Sequence, residues 1–155
     1  LQTGPVQVAA LSYRLYAKAA QLGMRELINF GDLGVEDVNG GVITTRSFIA
    51  QHRDTATRFI RAYIRGAHRY RTDKEFSKRV LGKYGKITED DLLEGTWQDY
   101  APTIQKVPRP SPKAVQFLIE FQFKGKTPLP KPENFVEMSI VNELEKNGFI
   151  DSVYK

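Results

Sequence analysis

Residues 40–70 read GGVITTRSFIAQHRDTATRFIRAYIRGAHRY, and the pattern of apolar positions changes period inside this stretch. After Gly40-Gly41 the β-branched run Val42-Ile43-Thr44-Thr45 has the character of a short strand. From Asp54, an acceptable N-cap, Ala56, Phe59, Ile60, Tyr63, Ile64 and Ala67 recur at helical spacing and form one stripe of a long amphipathic helix. Burial of Phe59, Ile60, Tyr63 and Ile64 is worth about 1.5–3 kcal/mol each. That outweighs the cost of Gly66, about 1 kcal/mol in a helix interior. The opposite face is basic, with Arg58, Arg61, Arg65, Arg69 and His68, followed by Arg71.

The remainder of the chain can be ordered around this helix. Val6 to Leu11 is a short apolar run suited to a buried strand, after a turn at Thr3-Gly4-Pro5. Ser12 is placed to cap a helix over roughly Tyr13 to Leu22 that Gly23 ends, and Arg25 to Phe30 reads as a second strand. Strand, helix and strand at this spacing predict a parallel crossover. The glycine-rich, polar stretch from Gly31 to Gly41 is a connection long enough to change layer.

Beyond residue 47 every signal is helical. Ser47 to Arg53 predicts a short helix, and Thr72-Asp73-Lys74-Glu75 has the form of a capping box before Phe76, Val80, Leu81 and Tyr84, with Gly85 as the stop. Thr88 repeats the device, with Ile87 and Leu92 as a hydrophobic staple and Leu93, Thr96, Trp97 and Tyr100 on one side before Pro102. Ser111-Pro112 pairs an N-cap with proline at the first helical position, for a helix burying Ala114, Val115, Leu118 and Phe121 and widened by Phe117 and Phe123. Val136 to Asn147 predicts a last helix with Ile140, Val141 and Leu144 inward and Gly148 closing it. An α/β class follows, but with too few strands for a sheet, so the partner strands are expected outside the chain.

Composition narrows the chemistry. In 155 residues, 41% hydrophobic and 26% charged content suits one folded core rather than disorder. The absence of cysteine removes disulfides and thiolate metal sites, and two histidines, His52 and His68, lack carboxylates at ligand spacing. No apolar run approaches the roughly 18 residues of a membrane span. The net charge of +5 suits a solvated surface. A nucleic-acid interface would add exposed aromatics between the arginines, and Tyr63 is expected in the buried stripe, so no nucleic-acid partner is expected. Glu89-Asp90-Asp91 complements a helix N-terminus, and Ser12 and Ser111 read as caps. No residue set supports catalysis, and neither a metal nor a cofactor is expected. One place invites a ligand. At Ser12-Tyr13-Arg14 a strand ends and a helix begins, so a hydroxyl, free backbone N–H groups and a guanidinium could converge on an anion, a simple N-cap beside an exposed arginine being the alternative.

Gly4 to Ser12 (GPVQVAALS), the helix ending at Gly23, the strand Glu26 to Phe30, Gly41 to Arg46, the helix Asp54 to Arg71, Asp73 to Tyr84 and Pro132 to Val136 together resemble the substrate-binding proteins of ABC importers. The resemblance is to the nitrate, sulfonate, taurine and thiamine-precursor group and runs over nearly the whole chain. It implies the C-terminal half of a two-lobed periplasmic binding protein type II clamp. Residues 1–35 would close the second lobe, residues 36–46 would form the hinge crossing, and residues 47–155 would be the helical part of the first lobe. The implied partners are a small anionic molecule, the permease subunits and a preceding half of the same protein. The implied location is periplasmic, or extracellular and membrane-anchored. Ser12, Tyr13 and Arg14, with Thr44 and Thr45 at the crossing, are the ligand-binding candidates. Many relatives carry proline directly after the serine, where Tyr13 stands here, so the resemblance assigns no particular solute. A thiamine-pyrimidine-synthase-like enzyme on the same scaffold is the alternative, weakened by the lack of the cysteine-rich motif. A basic helical nucleic-acid-binding module is the other.

Overall fold

A computed structural model describes residues 4–34, 36, 38 and 40–155, with the side chains of Tyr13 and Arg14 outside that set. Thr3, Asp37 and Asn39, read above as turn and connection residues, also lie outside the described residues. The helices are α1 (Tyr13–Gln21), α2 (Arg46–Gln51), α3 (Arg53–Thr72), α4 (Lys74–Gly85), α5 (Asp90–Tyr100), α6 (Pro112–Gln122), α7 (Ser139–Lys146) and α8 (Phe149–Val153). Short 3₁₀ turns occur at Phe30–Leu33, Ala101–Thr103 and Pro132–Asn134.

The protein is helix-rich, and no strand occurs among the described residues. This corrects the expected α/β layering: the runs at residues 6–11, 25–29 and 42–45 are irregular, and Phe30 opens a 3₁₀ turn. A strand exists only through a ladder partner that takes its N–H and C=O groups, and the described residues provide none. The cost is visible in their side chains, for Ile43 is 93% and Leu27 73% exposed, with Val6, Val8, Ile28 and Val42 exposed as well.

The chain divides into two compact units, one built from the segment up to Asn29 with Tyr70–Ile104, the other from Phe30–Arg69 and Gln105–Lys155. The second unit holds the main core. Ile64, 1% exposed, meets Ile140, Val141, Leu144, Phe149 and Ile150, with Ile49, Ala56, Ile60, Val107 and Met138 packed around them. Burying Ile140, Val141 and Leu144 follows the sequence pattern of α7. That helix starts later than expected, at Ser139, and ends before Gly148 as read; Gly148 at φ 76° then turns the chain into a further short helix, α8, which the sequence reading did not include. Ser111 caps α6 as read, accepting a hydrogen bond from the Ala114 N–H at 3.4 Å, with Pro112 in the first turn. The buried face of α6 differs from the expected one: Ala114, Val115 and Ile119 are inside, whereas Phe121 is 72% exposed and Phe117 is exposed too.

In the first unit, α5 packs against both α1 and α4, and the end of α3 is built into it. Helix α1 ends at Gly23 as expected: Gly23 has φ 79° and donates to the Ala20 carbonyl at 2.9 Å, while Met24 donates to Ala19 at 3.0 Å. The cap of α4 is Asp73, whose carboxylate accepts from the Phe76 N–H at 2.9 Å, because Thr72 is still the last residue of α3. Likewise Asp54 is inside the first turn of α3, since Ala56 already donates to the His52 carbonyl at 3.0 Å. Thr88 does not cap α5. Its hydroxyl and N–H both donate to the Glu89 carboxylate, at 3.0 and 3.1 Å.

The final turn of α3 leaves carbonyls without helical partners. The Tyr70 carbonyl accepts from the Ser77 hydroxyl at 2.9 Å and from the Trp97 indole N–H at 2.8 Å, so one oxygen ties α3 to α4 and α5. Ser77 is 0% exposed and also lies 2.8 Å from the Asp73 carbonyl, between which and Tyr70 its single proton is shared. Outside this point, Glu94 of α5 pairs with Lys74 and Lys78 of α4 at 3.1 and 3.3 Å and accepts from Gln98 at 2.9 Å. The hydrogen bond from Lys74, then that from Lys78, holds the Glu94 carboxyl below the ordinary glutamate range against the opposing effect of desolvation.

Two outcomes follow for urea unfolding. Ser77→Ala removes the one proton shared by the Tyr70 and Asp73 carbonyls, which keep the Trp97 indole and the residue-77 backbone N–H as donors, and is expected to cost about 0.5–1.5 kcal/mol, with Trp97→Phe costing a similar amount. A midpoint equal to that of the parent chain in both variants would remove this role from the Tyr70 carbonyl. For the α4–α5 ion pairs, a depressed carboxyl pKa contributes stability that is complete above the unfolded-state value and disappears as pH falls through the folded one. The stability-versus-pH curve of Glu94→Gln should therefore be flatter than the parent's over that acidic window, and parallel curves would contradict the assignment.

Candidate functional site

Ser12 stands at the N-cap position of α1, with φ −74° and ψ 161°, and its carbonyl accepts from the N–H groups of Leu15 and Tyr16, both at 2.9 Å. Its side chain makes no capping hydrogen bond and is exposed, so the cap role read from sequence is carried by the backbone alone. The hydroxyl is thus at a helix start without being consumed by it. Tyr13 and Arg14 form the first two positions of α1, and their side chains lie outside the described residues.

Thr45 has a different use. It caps α2: its Oγ1 accepts from the Phe48 N–H at 3.1 Å and is 3.0 Å from the Ser47 hydroxyl. Thr44 beside it is exposed. The five candidates fall into two local groups, Ser12-Tyr13-Arg14 in the first unit and Thr44-Thr45 in the second. Both groups precede or open a helix, where unpaired N–H groups and the positive end of the helix dipole favour an anion.

The segment expected to act as a hinge crossing, residues 36–46, is tied down near both ends within the second unit. At one end the Glu36 carboxylate accepts a hydrogen bond from the Ser111 hydroxyl. At the other, the Arg46 guanidinium donates to the carbonyls of Glu133 and Asn134 at 3.0 and 3.1 Å. Near it, Glu137 accepts from the side chain and backbone of Ser139, which lowers its pKa, and the charges of Arg46 and Arg53 act in the same direction. Arg53 itself donates to Ser139 at 3.0 Å and pairs with Glu143 at 2.9 Å. Neither Glu36 nor Arg46 is legible as an anchor in the sequence, since their partners are 75 and 87 or more residues away.

Among the described residues no group of three or more His, Asp or Glu side chains is arranged to hold a metal ion. His68 packs edge-on against the Tyr154 ring, with centroids 4.8 Å apart, and His52 lies beside Phe48 at 5.1 Å. No helix is long and apolar enough to cross a membrane among the described residues. Comparison of the chain with protein-family models, with curated proteins and with solved structures gave no match in any of the three.

Removal of the Arg46 anchor has a local signature. Arg46→Ala is expected to speed amide hydrogen exchange in residues 132–138, whose turn carbonyls it holds, while amides of α5 keep the parent rates. Unchanged protection in 132–138 would show that the turn is held by its own backbone hydrogen bonds alone.

Proposed function

We propose that this chain is the C-terminal half of the solute-binding component of an ABC importer. It would act outside the cytoplasm, closing two lobes over a small anionic molecule and passing it to the permease subunits. The observation that carries this reading is the exposure of Val6, Val8, Leu27, Ile28, Val42 and Ile43 in segments whose sequence is that of buried strands. Apolar surface of this kind marks an interface that another element covers. Strands contributed by a preceding half of the same polypeptide would pair with these segments and complete an α/β clamp of the periplasmic binding protein type II kind.

In this reading Ser12 and the N–H groups that open α1 donate to the anion, Arg14 pairs with it, and Tyr13 lines the cleft. Thr44 contributes from the crossing, while Thr45 holds the start of α2 in place through the bond to Phe48. Residues 36–46 absorb the hinge motion, with Glu36 and Arg46 fixing where it begins and ends. The chain is a binder and not a catalyst.

The test is a thermal-shift screen of the full-length gene product against nitrate, small alkylsulfonates and aromatic carboxylates. A solute that binds the folded state alone raises the transition by mass action. At least one member of the panel should raise it, and Arg14→Ala should abolish that shift while leaving the ligand-free transition in place. Turnover of the bound compound, or a shift that Arg14→Ala does not alter, would overturn the assignment.

A further inference from the structure

The arginine face of α3 carries two cations for which the described residues provide no ion-pair partner. Arg58 pairs with Asp54 at 3.1 Å, Arg53 with Glu143 at 2.9 Å, Arg109 with Glu145 at 2.8 Å and Lys106 with Asp151 at 2.7 Å. Those four acids are thereby taken by other residues. Arg61 and Arg65 make no ion pair with a described residue, and both are exposed. They stand one helical turn apart, a spacing at which like charges repel.

What holds them is an aromatic ring. The Arg61 guanidinium lies 4.3 Å and that of Arg65 5.2 Å from the centroid of Phe149, the first residue of α8 after the left-handed Gly148. Attraction to the ring face fixes both planar groups without using their N–H donors. Those donors remain for bidentate bonds to carboxylates, at a spacing set before any partner arrives.

We propose that Arg61 and Arg65, held on Phe149, form a docking point for an acidic protein surface that presents paired carboxylates. A lipid surface suits the site less well. Membrane docking draws on an apolar side chain free to enter the headgroup region beside the cations. Phe149 is 8% exposed and belongs to the core, and Phe59 and Tyr63, expected in the buried stripe of α3 but 54% and 47% exposed, are two residues out of step with the arginine pair, on another side of the helix. This docking point is independent of the solute-binding reading, since it uses none of the residues assigned there.

The test uses the full-length gene product and a fluorescein-labelled poly-glutamate peptide, with anisotropy read at low and at physiological salt. Arg61→Gln with Arg65→Gln should weaken binding about ten-fold, as expected for the loss of two charge-assisted contacts. Arg61→Lys with Arg65→Lys keeps the charge but not the fork, and should fall between the parent and the Gln variant. It also decides the matter if the Gln variant fails to fold, because poly-glutamate affinity equal to the parent's would then overturn the proposal. A charge-matched control, Lys113→Gln with Lys124→Gln, should bind as the parent does. An equal loss in that control would reduce the effect to net charge and overturn the proposal. So would binding to phosphatidylglycerol vesicles with none to the peptide.

Discussion

The carbonyl oxygen of Tyr70 is the point on which one half of the structure turns. A helix that ends inside a protein must find donors for its last carbonyls, and here a serine from α4 and a tryptophan from α5 supply them to the same atom. Because both donors come from side chains at fixed positions on their helices, satisfying that oxygen also sets where α4 and α5 stand. Close approach of the connection completes the arrangement. A methyl group at Gly82 would lie 3.3 Å from the Ile87 carbonyl, so the chain folds back over a residue without a side chain. The Tyr70 phenol feels the same enclosure. Burial, and then the nearby Tyr100 and Asp99, raise its pKa above that of a free tyrosine.

The other unit depends on dispersion and burial rather than on one polar contact. Ile64, Leu144 and Ile150 are all but inaccessible and come from three helices, which is how α3, α7 and α8 share one core. Around it runs a border of ion pairs that are mostly solvent-exposed, worth little singly and serving more to align the helices than to bind them. The hydroxyl of Tyr154 is enclosed without a hydrogen-bond partner among the described residues, beside a ring that packs on His68 and beneath Lys106. That is the expected penalty of carrying a phenol where the packing demand is for its ring.

The functional proposals draw on opposite kinds of incompleteness. The solute-binding reading starts from apolar segments that nothing in the described chain covers, the docking proposal from cations that no described residue pairs with. In each case the local chemistry is well defined and the complementary surface is external. Ser12 illustrates how structure refines a sequence reading without changing its place: it remains at the head of α1, but its hydroxyl is not used by the helix. Thr45 shows the reverse, a ligand candidate whose oxygen is already engaged in capping α2.

Helix locations were legible because their signals are local. Gly23 and Gly148 supply the left-handed turn, Ser111-Pro112 supplies a cap and a preset φ, and the apolar spacing of α3 and α7 appears within a few turns of chain. Cap identities at Asp73 and Glu89 were misread by one residue, since neighbouring acceptors compete and the length of the preceding helix or turn decides between them. The strands were not decided locally at all. Residues 6–11, 25–30 and 42–45 have strand composition, but a strand is a pairing, and pairing depends on a partner that no local pattern contains. The same limit holds for the candidate site, whose residues could be placed at helix starts from sequence, while Glu36, Arg46, Trp97 and Phe149 acquired their roles only through contacts made far along the chain. The sequence alone thus determined where helices form and which turns stop them, by steric and hydrogen-bond rules acting over a few residues. Tertiary structure decided which of the apolar faces is buried, as in α6, where Ile119 is inside and Phe121 outside, because burial depends on what the rest of the chain brings to that face.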